Sequence, residues 1–174
     1  PAQILSGDEN GQKFGYSLTT ADFNSDGQID LAVGAQYTSG TGLQNGAVYI
    51  FEGTEAGFFE SQPSQILMGR YGYDLFGTGL AHCDINNDGR IDLITSSYNS
   101  EDRTALNRTN EQGGIHIFLN QDGSFSDEPE KTIWGQSYGE SGWAGVASMN
   151  IGSDLITGDF NGDGQCDIAA GAYT

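Results

Sequence analysis

Short runs in which large apolar residues alternate with small or polar ones recur along this chain. Ile29, Leu31 and Val33 alternate with Asp30 and Ala32; Val48 and Ile50 follow the same rule, as do Ile115, Ile117 and Leu119. A period of two is the pattern of a half-buried strand. Glycine-rich polar stretches separate the runs, and no segment carries an amphipathic helical stripe. The pattern predicts an all-β protein of short antiparallel strands.

The strands fall into an internal repeat. Its anchor is a nine-residue acidic run, DFNSDGQID at 22–30, DINNDGRID at 84–92 and DFNGDGQCD at 159–167. Eight residues before each run stands an apolar residue followed by glycine: Phe14-Gly15, Phe76-Gly77 and Ile151-Gly152. Four residues after each run's last aspartate comes a small pair, Gly34-Ala35, Ser96-Ser97 or Gly171-Ala172. GAVYIF at 46–51 matches GGIHIF at 113–118, and QILSG at 3–7 lines up with QILMG at 65–69 and TIWG at 132–135. The acidic runs lie 62 and 75 residues apart, the extra length falling mostly before Gly113 and around 143–150. Repeat 1 therefore spans about 8–69, repeat 2 about 70–135 and a partial repeat 3 about 136–174. Each full repeat supplies four strands, and one such sheet cannot bury both faces alone, so the repeats should stack.

Charge narrows the partners. The net charge is −18 with only six basic residues, which argues against nucleic acid or an anionic membrane and favours a cation. No apolar run approaches the roughly 18 residues of a membrane helix, so no direct membrane insertion is expected. Residues 1–5 have neither the basic region nor the apolar core of a secretory signal, a segment that mature proteins lose in any case. The two cysteines, Cys83 and Cys166, form no CxxC pair and read as small half-buried thiols rather than a disulfide framework. Asn107 opens the one glycosylation sequon, a weak pointer to secretion.

Aromatic-Gly, then DxNxDGxxD, then a small pair: this order resembles the FG-GAP repeat. That family builds the seven-bladed β-propeller of integrin α subunits and the C-terminal propeller of glycosylphosphatidylinositol-specific phospholipase D. The resemblance covers nearly the whole chain. Departures are Ser96-Ser97 for Gly-Ala, Ile151 for Phe, and a third copy that stops after two strands. The resemblance implies β-propeller blades of four-stranded antiparallel sheets, about two and a half of them. Propellers close with roughly four to eight blades. The chain is accordingly expected to begin on an outer strand at 3–5 and to end on an inner one at 169–171. It would be part of a longer chain, or copies would join edge to edge into a ring or filament.

The acidic runs point to calcium. A hard divalent cation takes about six to eight oxygen ligands and prefers carboxylates. Positions 1, 3 and 5 of the first run offer side-chain oxygens from Asp22, Asn24 and Asp26; Gly27 lets the chain turn; Gln28 offers its carbonyl; Asp30 closes the shell with one or both oxygens. The equivalent sets are Asp84, Asn86, Asp88, Arg90 (carbonyl) and Asp92, and Asp159, Asn161, Asp163, Gln165 (carbonyl) and Asp167. Because only its carbonyl is used, the seventh side chain should vary freely. An EF-hand would need glutamate at position 12 and a following helix, whereas Val33, Thr95 and Ala170 stand there. A dockerin also continues into helices. Magnesium fits worse, since it demands near-ideal octahedral geometry with fewer protein ligands. Three calcium ions would reduce the charge from −18 to −12. At tenfold over its dissociation constant, each would stabilise the fold by roughly 1.4 kcal/mol. Weak sites of this kind fill where calcium is abundant, outside the cell.

Enzyme readings are thin. Gly135-Gln-Ser137-Tyr-Gly139 matches GxSxG, but that turn belongs between a strand and a helix with its histidine downstream, and both His82 and His116 precede it. Neither histidine has partners at zinc spacing, so both read as packed or surface residues. Trp134 and Trp143 are expected to fill blade interfaces, with the inserted 143–150 segment a possible contact surface. The sequence thus describes a non-catalytic, calcium-stabilised extracellular module for adhesion or recognition of a protein or glycan ligand. The resemblance to integrins implies that ligand would meet loops on the face opposite the calcium hairpins, for which loops 36–45 and 98–112 are the candidates. The alternatives are an accessory propeller of a secreted hydrolase, or a filament subunit.

Overall fold

The computed structural model describes residues 2–40, 42–101, 112–135, 137–138, 147–148 and 150–173. Strands β1 (Phe14–Ala21), β2 (Asp30–Ala35), β3 (Ala47–Phe51) and β4 (Gln65–Met68) pair in chain order as an antiparallel meander, blade 1. Strands β5 (Phe76–Cys83), β6 (Asp92–Ser97), β7 (Gly114–Phe118) and β8 (Lys131–Trp134) repeat it as blade 2. Strands β9 (Ser137–Tyr138) and β10 (Ala147–Ser148) make a short separate ladder, and β11 (Asn150–Gly158) with β12 (Asp167–Tyr173) forms the first half of a third blade. No helix occurs among the described residues.

The inner strands are buried on both faces rather than one. Along blade 1, Ala32, Val48 and Ile50 point toward blade 2 and join Phe76, Leu80, Leu93 and Phe118 in one core. Their neighbours Val33, Tyr49 and Phe51 point the other way, into a second core with Leu5 and Phe14. The far face of blade 2 repeats the arrangement, packing Ile94, Ile115 and Ile117 on Leu155 of blade 3. Stacking supplies the burial that one meander lacks.

The glycine after each aromatic or Ile residue has a definite task. The ladder of each blade's first strand slips between Phe14 and Ser17, between Phe76 and Leu80, and between Ile151 and Leu155. Gly15, Gly77 and Gly152 sit in these slips at φ of 84°, 83° and 95°, where a side chain would be strained. The serine departure in repeat 2 also has a reason. In blade 1, Ser17 Oγ donates to Gly77 O at 2.8 Å, and a Cβ on the facing Gly34 would lie 2.1 Å from that hydroxyl. In blade 2 the two residues trade places: position 79 is glycine, and Ser96 Oγ donates to Gly152 O at 2.6 Å. Either way one hydroxyl ties each blade to the bulge of the next.

The expected outer strand at 3–5 is not in a ladder. Gln3 instead exchanges two hydrogen bonds with the backbone of Phe59, Nε2 to O at 2.7 Å and N to Oε1 at 2.9 Å. Gln65 on β4 grips Phe125 of blade 2 in the same way. A glutamine side chain thus mimics a strand neighbour for the hairpin beside it. Asn107, Trp143 and most of the 98–112 loop lie outside the described residues.

Candidate metal centres

Each acidic run is the hairpin joining a blade's first two strands, so all the hairpins lie at one end of the stacked sheets. In the first, Asp22 Oδ1 accepts from Asp26 N at 3.1 Å and its Oδ2 from Gly27 N at 2.9 Å. Asn24 Oδ1 also accepts from Asp26 N at 3.0 Å, and Asp26 Oδ1 from Gln28 N at 2.7 Å. The second run repeats these bonds from Asp84, Asn86 and Asp88, with Arg90 N in the place of Gln28 N. The third does so from Asp159, Asn161 and Asp163, with Gln165 N completing the set. Gly27, Gly89 and Gly164 turn the loops at φ of 87°, 86° and 82°, as position 6 requires.

The ninth residue behaves differently from the others. Asp30 is fully buried; its Oδ2 accepts from Phe23 N at 2.8 Å and its Oδ1 from Gly53 N at 2.8 Å, bracing the loop against the β3–β4 hairpin. Asp92 is also fully buried, taking Ile85 N at 3.0 Å and Asn120 N at 2.8 Å. Asp167 holds Phe160 N at 3.0 Å. With both oxygens engaged, Asp30 and Asp92 suit ligation by a single oxygen rather than two.

Electrostatics distinguish the positions. Burial raises the Asp92 pKa above the usual carboxylate value, with Asp88 and Asp84 adding repulsion. Amide donation lowers Asp88, chiefly from Arg90 N, and Asp159, chiefly from Gly164 N. The Arg90 side chain is not idle: Nη2 lies 2.7 Å from Asp88 Oδ2, Nη1 3.4 Å from Asp122 Oδ1, and Nε donates to Asn120 O at 3.1 Å. A cation at this loop therefore meets a built-in competitor that Gln28 and Gln165 do not supply.

Among the described residues no three acidic, histidine or cysteine side chains converge into a ready cage. The carboxylates are spread over backbone amides. The donor set nevertheless fits a hard cation: an amide hydrogen bond occupies one lone pair of an oxygen, and the loop already fixes the backbone turn a metal needs. Asp22, Asn24, Asp26, the Gln28 carbonyl and one oxygen of Asp30 would hold an ion in the first loop, and the matching residues in the others.

The cysteines are not thiols. Cys83 and Cys166 form a disulfide with Cα atoms 6.4 Å apart, which corrects the sequence reading. Spacing hid it, because the partners are 83 residues apart and meet only when blade 3 stacks on blade 2. Asn120 was missed as well. Only 1% exposed, it donates from Nδ2 to Phe23 O at 2.6 Å and to Ile91 O at 3.0 Å, joining the first acidic loop to the second. Its place in the repeat is that of Gly53, and the asparagine in that place is the one signal the sequence carried.

Both histidines are structural. His82 Nδ1 meets Thr19 Oγ1 at 2.7 Å, and its carbonyl accepts from Thr157 Oγ1 at 2.7 Å, so it touches all three blades. His116 spends both ring nitrogens on Thr132 and Ser97 hydroxyls, and burial lowers its pKa to about 4. Ser137 lies in the short β9 strand, not in a strand-to-helix turn.

The FG-GAP repeat model matches residues 14–51 and the FG-GAP-like repeat model matches 84–170. The human phosphatidylinositol-glycan-specific phospholipase D is 31% identical over 170 residues, covering 92% of this chain and 18% of that protein. The Bos taurus phospholipase D is 36% identical over the same share of each. Integrin alpha-5 of Xenopus laevis is 30% identical over 178 residues, covering 97% of this chain and 15% of its own length. The chain thus spans less than a fifth of these relatives. It belongs to the FG-GAP repeat family, and its sheets are β-propeller blades.

Proposed function

We propose that this chain is a calcium-stabilised, non-catalytic propeller module of the cell exterior that presents loops for adhesion or ligand recognition. The observation that carries the calcium reading is the recurrence of one hydrogen-bond ladder, with the same Asp-Asn-Asp oxygens, in all three hairpins. The disulfide supports an oxidising, extracellular setting. Segments 36–45 and 98–112, each lying between the second and third strands of its blade in the sequence, are the recognition surface in this reading.

Calorimetric titration of calcium into EDTA-stripped protein tests it. Three sites per chain are expected, one for each acidic run, with one site lost in each of Asp22→Ala, Asp84→Ala and Asp159→Ala. An absence of saturable heat overturns it. The phospholipase D identities of 31% and 36% favour a second reading, an accessory propeller of a secreted hydrolase. A catalytic segment in the same open reading frame would select that reading over adhesion.

A further inference from the structure

The seventh side chain of the acidic run, expected to vary freely because only its carbonyl would face a cation, has a second task in the second loop. The residue is Gln28, Arg90 or Gln165 in the three runs. In each loop one oxygen of the fifth residue accepts from the backbone N of the seventh: Asp26 Oδ1 at 2.7 Å, Asp88 Oδ1 at 2.9 Å and Asp163 Oδ1 at 2.8 Å. The other oxygen accepts from the side-chain amide of the third residue, Asn24 and Asn86 at 3.0 Å and Asn161 at 3.2 Å. Up to this point the loops are copies.

Arg90 breaks the symmetry. Its Nη2 lies 2.7 Å from Asp88 Oδ2, a second donor on an oxygen that already takes Asn86 Nδ2. A carboxylate oxygen has two lone pairs, so Asp88 Oδ2 is fully engaged. Among the described residues, Asp26 Oδ2 and Asp163 Oδ2 accept from the asparagine alone and keep one lone pair each. The guanidinium is also held from its far side. Nε donates to Asn120 O at 3.1 Å and Nη1 lies 3.4 Å from Asp122 Oδ1, both in the hairpin between β7 and β8. These two contacts keep Arg90 at the loop independently of Asp88. The side chains of Arg90 and Asp88 are 40% and 27% exposed, so solvent and salt screen their pairing less than they would on the open surface.

We infer that Arg90 sets the affinity of the second acidic loop: its guanidinium competes with calcium for Asp88 and makes this loop the weakest of the three cation sites. Loops 1 and 3 fill first and brace the blades, and loop 2 responds to calcium in a higher range. Arg90 yields Asp88 Oδ2 and retains Asn120 O and Asp122, so the exchange needs no new partner for the guanidinium. The inference rests on the calcium reading proposed above and adds to it a ranking of the sites.

Calcium is titrated into EDTA-stripped, isotope-labelled protein and followed by heteronuclear NMR. The amides of Gly27, Gly89 and Gly164 report one loop each, because each donates to the first aspartate of its own run. In the parent protein Gly89 should reach its midpoint at a higher calcium concentration than the other two, a comparison that does not depend on any variant folding. Arg90→Gln gives loop 2 the residue of loops 1 and 3. It should lower the Gly89 midpoint by about two- to fivefold, the range of an ion pair near the surface, and leave Gly27 and Gly164 in place. Thermal melting separates competition from a purely structural role: Arg90→Gln should melt below the parent in EDTA and gain more from calcium than the parent does. Equal losses in both conditions would overturn the inference, as would a Gly89 midpoint at or below the other two in the parent, or one left unmoved by the substitution. If no amide responds to calcium, the calcium reading itself fails; if all three respond at one midpoint, that reading stands and the ranking falls.

Discussion

Cys83 is bonded to Cys166, and each half stands one residue before a candidate metal ligand, Asp84 in the second acidic loop and Asp167 in the third. The bond therefore clamps two hairpins from successive blades. Asn120 performs the same office between the first hairpin and the second through Phe23 O and Ile91 O. All three loops are wired into one rim.

Reduction should release the larger part of that wiring. Closing a loop of 83 residues restricts the unfolded chain by about 4.5 kcal/mol in the chain-entropy account. Urea denaturation of Cys83→Ser/Cys166→Ser against the parent protein should show a loss of that order. The calcium affinity of the second and third loops should fall while that of the first is retained.

Asn120→Ala should cost about 2–3 kcal/mol, because it leaves two carbonyls without their donor and one amide, that of Gly123, without its acceptor. Asn120→Asp restores the shape and the acceptor but not the donors, and should remain close to the alanine variant in chemical denaturation.

The traded serine gives a double-mutant cycle. Ser96→Gly strips Gly152 O and Gly79 N of their partner, at about 1–2 kcal/mol. Gly79→Ser alone brings a Cβ to 2.9 Å from Ser96 Oγ and 3.1 Å from Leu155 Cγ, and should also destabilise. Combining them recreates the blade 1 arrangement, so thermal melting should place the double variant above the sum of the single losses.

Much of this was legible in the sequence. The period of two, the bulge glycines and the acidic hairpins each declared themselves locally, because a strand's alternation and a turn's positive φ are decided by adjacent residues. What was hidden is what stacking creates. Ser96 looked like a departure until Gly79 and Gly152 stood beside it, and Arg90 looked free until blade 2's hairpin placed Asp122 and Asn120 O within reach. The half-buried character read for the inner strands became full burial for the same reason.

Mild acid should weaken the fold through His116. His116 is neutral in the folded state down to about 4, whereas the unfolded chain takes up that proton near the ordinary value of 6.5. Its contribution is fully present above pH 6.5 and is lost as pH falls through the folded value, amounting to about 3 kcal/mol. His116→Asn should flatten the stability profile between those limits in denaturant titrations at stepped pH.

Melting in calcium against EDTA tests the central claim most directly. At tenfold over the dissociation constant, three sites stabilise by about 4 kcal/mol, which raises the midpoint of a chain this size by about 10 °C. Magnesium at the same concentration should give a much smaller shift. A midpoint equal in calcium and in EDTA would contradict the account.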